Sequence, residues 1–148
     1  MKKFLLFFYI FLVGCGYQSM YSINEKINLN FKNIKLEGNK EINRKIINTL
    51  SIKEDENILQ NNELILRSIL NEDEALKNSK GQVISYKSKV SVELTINKDG
   101  KVFKNKSFSE EFTYNNKNNK FDLVEYQNEV KVNITNKIIE EIIIYLNL

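Results

Sequence analysis

The chain is 148 residues long, carries a formal net charge of +3, and contains a single cysteine and no histidine, tryptophan or proline. One cysteine excludes an internal disulfide, and the lack of histidine removes the commonest general base and transition-metal ligand. The length fits one domain with one real core, and the small charge surplus gives no reason to expect a nucleic-acid partner.

Met1, Lys2 and Lys3 precede an unbroken apolar run from Phe4 to Val13, followed by Gly14 and Cys15. A charged start, a short apolar middle and a small residue before the cut make a secretory signal. The run falls well short of the roughly 20 residues that a spanning helix needs. The expected division is a signal peptide over 1–14, a lipidated N-terminus and tether over 15–26, and a single domain over 27–148. Leu12-Val13-Gly14-Cys15 resembles the bacterial lipobox. That resemblance implies a diacylglycerol on the Cys15 sulfur, cleavage before Cys15 and N-acylation, so the only prosthetic chemistry is a covalent lipid. Each buried methylene contributes about 0.8 kcal/mol, and two or more chains hold a protein firmly at a membrane. The alternative is an ordinary exported protein in which Cys15 is incidental. Gly16 stands where an Asp usually signals inner-membrane retention. By the same resemblance, the expected destination is the outer membrane, facing the periplasm. Lys2 and Lys3 leave with the signal, which brings the mature chain close to charge balance.

Ile27, Leu29 and Phe31 alternate with polar residues, and Ile34 and Leu36 resume the alternation on the other parity. The pattern predicts one strand over 27–36, bulged near Asn33 and broken at Gly38-Asn39. Asn39 is a candidate N-cap for a helix over 40–51, with Ile42, Ile46, Ile47 and Leu50 at helical spacing. Lys53 to Asn62 is a charged connection. The period of Leu64, Ile65, Leu66, Ile69 and Leu70 fits helix or strand, and we read a strand that continues to Lys77. Asn78 to Gly81 forms a turn. Tyr86, Val90, Val92, Leu94 and Ile96 then share one parity, with Lys87, Lys89, Ser91, Glu93 and Thr95 on the other. Asp99-Gly100 is a hairpin signal, and the partner strand runs from Lys101 to Tyr114 with Phe108, Phe112 and Tyr114 on one face.

From Phe121 the chain reads as a helix of about 26 residues, ~39 Å long at 1.5 Å per residue. Tyr126, Val130, Ile134, Ile138, Ile142 and Leu146 form its stripe, widened by Leu123, Ile139, Ile143 and Tyr145. A membrane-associated helix over 134–146 is the alternative, against which Glu140 and Glu141 have the wrong sign for a lipid-binding face. The element order is β-α-β-β-β-α. The fold class is α+β: a two-layer sandwich with a four-stranded, mostly antiparallel sheet and two helices packed on one face.

No catalytic residues and no metal ligands are expected. Glu72, Asp73 and Glu74, and Glu110 and Glu111, are strand neighbours whose side chains point to opposite faces. A histidine-based triad cannot be built, and the glycines are too scattered for a phosphate loop. The chain reads as a binding protein, not an enzyme. Lysines do gather: Lys87 and Lys89 share one strand face, Lys104 and Lys106 share one parity of the partner strand, and Lys98 and Lys101 flank the turn. An anionic partner, such as a phosphorylated lipid, would relieve their repulsion. The plainer alternative is that they keep an exposed strand soluble and block edge pairing.

Cys15-Gly16-Tyr17-Gln18-Ser19-Met20-Tyr21 resembles the mature start of the LPS-assembly lipoproteins (the LptE family), especially alphaproteobacterial ones. Ser19 stands where that family often has Pro. Phe121-Asp122-Leu123-Val124-Glu125-Tyr126, leading into a long C-terminal helix, is similar to the family's closing segment, and the element order matches. The resemblance implies an outer-membrane lipoprotein that plugs the large β-barrel LptD, helps it assemble, and binds lipopolysaccharide on its way to the outer leaflet. The lysines at 87, 89, 104 and 106 are candidate contacts for lipid A phosphates. Another outer-membrane accessory lipoprotein, of the barrel-assembly or secretion-channel pilotin type, is the competing reading.

Overall fold

The computed structural model describes residues 29–147. The signal segment, Cys15, the tether and the expected strand start at Ile27 lie outside the described residues.

The alternation around Phe31 resolves into two short strands, not one bulged strand: β1 (Asn30–Phe31) and β2 (Asn33–Gly38). The change of parity at Lys32 marks a change of partner. β1 pairs in parallel with β3 (Lys53–Glu54), within the expected connection, as a separate two-stranded ribbon. The Lys32 amide donates to the Asn62 carbonyl at 3.0 Å and to Asn62 Oδ1 at 2.9 Å, while Phe31 is buried in the core.

β2 runs parallel to the first half of β4 (Asn62–Lys77) and ends where Gly38 faces Ser68. Gly38 has a φ of 84°, and a Cβ there would run into the Ser68 carbonyl oxygen. Only glycine lets the chain turn away from β4 so closely. It turns directly into α1 (Lys40–Thr49), where Asn39 Oδ1 accepts from the amides of Glu41 and Ile42, each at 3.1 Å. Such a cap contributes about 1 kcal/mol. Asn43, buried on α1, donates from Nδ2 to the Glu37 carbonyl at 2.8 Å and ties the helix back to β2.

β4, β5 (Val83–Lys98) and β6 (Lys101–Asn115) form an antiparallel meander, and the sheet order is β2-β4-β5-β6. The ambiguous leucines at 64–70 are thus strand. Leu64 and Leu66 join Val90, Val92, Leu94 and Ile96 on the buried face. α1 lies over β2 and β4, and α2 (Lys120–Asn147) over β5 and β6. The α2 stripe is the expected one: Val130, Ile134, Ile138, Ile139 and Ile142 are buried, with Leu123, Tyr126, Ile143, Tyr145 and Leu146 packed against the core. Each large apolar side chain so buried contributes roughly 1.5–3 kcal/mol. The result is the two-layer α+β sandwich read from the pattern, with a mixed sheet that has one parallel junction, both helices on one face, and the other face open to solvent.

Candidate functional site

The four candidate lysines stand on different faces of the sheet, and a single extra residue decides this. The turn at Asp99-Gly100 pairs Lys98 with Lys101 and Asn97 with Val102, but Ile96 then pairs with Lys104. Phe103 is the additional residue of a β-bulge. Without it, Lys104 and Lys106 would share the open face with Lys87 and Lys89, and Phe108 and Tyr114 would face water. With it, Phe108 lies opposite Val92 and Tyr114 opposite Tyr86, and both rings are buried. A one-residue slip moves a whole strand face. Burial of these aromatics therefore brings Lys104 and Lys106 onto the helix side.

There they border the end of α2. Lys104 Nζ lies 5.2 Å from the Tyr145 ring centroid, and Lys106 Nζ lies 5.1 Å from it and 5.0 Å from the Phe108 centroid. The last turn of α2 contains no basic residue of its own. Cations near a helix C-terminus are favourable, so these two lysines complement the negative end of α2 from a neighbouring strand. Their cross-strand partners, Ile96 and Leu94, are apolar.

Lys87 and Lys89 lie on the open face among carboxylates. Lys87 Nζ is 3.8 Å from Glu111 Oε2, and Lys87 stands opposite Asp73 across the β4–β5 pair. The same face carries Lys35 Nζ at 2.7 Å from Glu63 Oε1, and Arg67, whose Nη2 is 2.7 Å from Glu37 Oε2 and whose Nη1 is 3.9 Å from Glu93 Oε2. Hydrogen bonds from the Lys35 ammonium and from Asn97 Nδ2 hold the Glu63 carboxyl below the usual glutamate range. The Glu37 carboxylate raises the Arg67 guanidinium above its ordinary value. Exposed pairs of this kind contribute little, because solvent screens them. They make this face a solvated, charge-balanced surface more than a source of stability.

The acidic clusters do not converge. Glu110 faces Val90 on the helix side and Glu111 faces Lys89 on the open side. Glu72, Asp73 and Glu74 lie on the second half of β4, where β2 has left, so among the described residues this stretch is a sheet edge. Charges and the register irregularity at Glu74/Leu76 blunt that edge against further pairing. Among the described residues no cluster of metal-ligating side chains occurs, and no helix is long and apolar enough to cross a membrane.

The far end of the sheet exposes apolar groups that the periodicity did not flag. Phe112 shares the parity of Phe108 and Tyr114 but stays half exposed. It lines a shallow recess with Thr113, Asn115, Lys117 and Tyr126. Phe121, Val124 and Val132 line an open groove on the outer side of α2 with Glu125 and Glu129. Their signal in the sequence is that they fall off the four-residue stripe.

No protein-family model and no curated protein sequence matches the chain. Its fold does match solved structures. A rare lipoprotein B from Shewanella oneidensis is similar at 16% identity and a TM-score of 0.50, over 74% of this chain and 86% of that one. A minor lipoprotein from Acinetobacter baumannii is similar at 13% identity and a TM-score of 0.51, over 77% and 89%. A lipoprotein B from Nitrosomonas europaea is similar at 9% identity and a TM-score of 0.52, over 80% and 84%. Likeness at these identities is likeness of fold. The class is thus the small α+β sandwich found in these bacterial lipoproteins, in keeping with the resemblance to the LPS-assembly lipoprotein family.

Proposed function

We propose that the chain is an outer-membrane lipoprotein, anchored by lipid on Cys15 and facing the periplasm, that plugs and helps assemble the barrel LptD and binds lipopolysaccharide during delivery. The observation that carries this reading is a fold shared with lipoproteins in a chain whose Cys15 ends a lipobox-like segment. A body with a solvated, charge-balanced sheet face suits the wet interior of a large barrel. The role asks for binding and shape, not catalysis. Recovery of a large barrel with the protein after mild cross-linking in membranes supports the reading. Recovery of other assembly or secretion machinery in its place establishes the accessory-lipoprotein alternative. Cys15→Ala is expected to abolish acylation, read by mass spectrometry; a variant that is still acylated refutes the anchor.

For the lipid A phosphates, Lys104 and Lys106 are the better pair. They face apolar neighbours, whereas Lys87 and Lys89 already sit beside Glu111 and Asp73. A single phosphate reaches one pair or the other. Hydrogen bonds to charged groups contribute about 1.5–3 kcal/mol, so Lys104→Glu with Lys106→Glu should weaken lipopolysaccharide binding about tenfold or more. Reversal at Lys87 and Lys89 should cost less. Unchanged binding by a variant with a native circular dichroism spectrum returns Lys104 and Lys106 to their part at the end of α2.

A further inference from the structure

Leu29, the first described residue, accepts a hydrogen bond on its carbonyl from the Lys53 amide at 3.1 Å, beside β1. Asn30 is joined to Asn62 at the start of β4, through Asn62 Nδ2 and the Asn30 carbonyl at 3.1 Å. Asn62 pairs with Lys98, and Lys98 with Lys101 across the β5–β6 turn. The chain therefore enters the fold at the same end of the sheet as that hairpin tip. The tip exposes Val102 and Phe103, at 66% and 55%, and Lys98 Nζ stands 3.8 Å from the Phe103 centroid. The adjoining loop is held to it by the Asp99 amide, which donates to the Asn61 carbonyl at 2.8 Å, and it carries a fully exposed Leu59. Three apolar side chains thus project at one end beside Lys98 and Lys101, with Asp99 on the turn and Asp55 and Glu56 on the Leu59 loop as the opposing charges.

We propose that this end is a membrane-contact surface: Leu59, Val102 and Phe103 enter the lipid interface, and Lys98 and Lys101 lie at anionic phospholipid headgroups. The inference rests on the lipid anchor at Cys15, because the segment from Cys15 to Leu29 joins that anchor to this end of the sheet. The chain from Cys15 to Leu29 spans at most about 50 Å even at full extension, and it meets the fold at this end and not at the opposite one. A tether also raises effective concentration, and a contact that is weak by itself becomes populated. Aromatic and aliphatic tips flanked by lysine suit the headgroup boundary, where the lysine stems bury and their ammonium groups stay wet.

The test uses the mature lipidated chain in phosphatidylcholine vesicles with and without phosphatidylglycerol. Single cysteines replace Val102, Leu59 or, at the opposite end of the sheet, Leu76, and each carries a fluorophore. A lipid-borne quencher should quench the probes at 102 and 59, while aqueous iodide should quench the probe at 76. Neutralising either lysine, by Lys98→Gln or Lys101→Gln, should weaken the contact about fivefold in the anionic vesicles only. Equal lipid quenching at 102 and 76, or stronger quenching at 76, overturns the inference. Mass spectrometry of the same samples reads the acyl groups on Cys15. A lipidated protein whose tip stays wet refutes the contact and leaves the anchor standing, whereas a bare sulfhydryl refutes both.

Discussion

The two halves of β4 have nearly the same apolar content and opposite fates. From Asn62 to Ser68 the strand is paired on both sides and covered by α1, and Leu64, Leu66 and Ser68 are buried. From Ile69 to Lys77 it is paired only with β5 among the described residues, and every side chain except the half-buried Leu70 is exposed. Burial here is set by where the neighbours stop. Gly38 removes β2 from the sheet and begins α1, and the core ends with them. The covered half supplies stability, and the bare half leaves its edge and its apolar side chains uncovered among the described residues.

Substitutions in the two halves should separate these roles. Leu66→Ala empties a fully enclosed site and should cost about 2–5 kcal/mol in urea unfolding. Leu76→Ala in the bare half, where the side chain is 56% exposed, should stay within about 0.5 kcal/mol. Equal effects would mean that the second half is covered in solution. Gly38→Ala acts on the boundary itself. It meets both the positive φ and the Ser68 carbonyl, and should cost about 1–3 kcal/mol. An unchanged melting temperature would show that β2 can leave β4 by another route.

A further small effect concerns the open face. The Glu63 carboxyl is lowered by Lys35 and Asn97. Its contribution is therefore complete above the ordinary glutamate range and is lost as pH falls through the lowered value. Glu63→Gln should lose under about 1 kcal/mol at neutral pH, and the gap to the parent should close on acidification. A gap that widens in acid would reverse the assignment.

Much of the fold was legible because burial leaves period in a sequence. The alternation from Tyr86 to Ile96 and the four-residue stripe from Tyr126 to Leu146 each report a face that must be dry, and Asp99-Gly100 reports a turn that needs positive φ. The β1–β2 division was less legible. A parity change at Lys32 reads equally as a bulge or as a new partner, and only the pairing of β1 with β3 distinguishes them. The lysines were legible one strand at a time. Their shared or separate faces depended on a bulge at Phe103 that the turn residues do not encode.

The amino-acid order alone thus determined the alternating strands, the two amphipathic helices, their one-faced packing and the lipobox-like Cys15, since each is a property of neighbours along the chain. Tertiary structure decided which half of β4 is covered, which lysines meet, and which end of the sheet lies beside the chain's entry. Those depend on cross-strand register and on where β2 departs. Both are set by packing between residues far apart in sequence: Phe108 and Tyr114 against the helix layer, and Gly38 against Ser68.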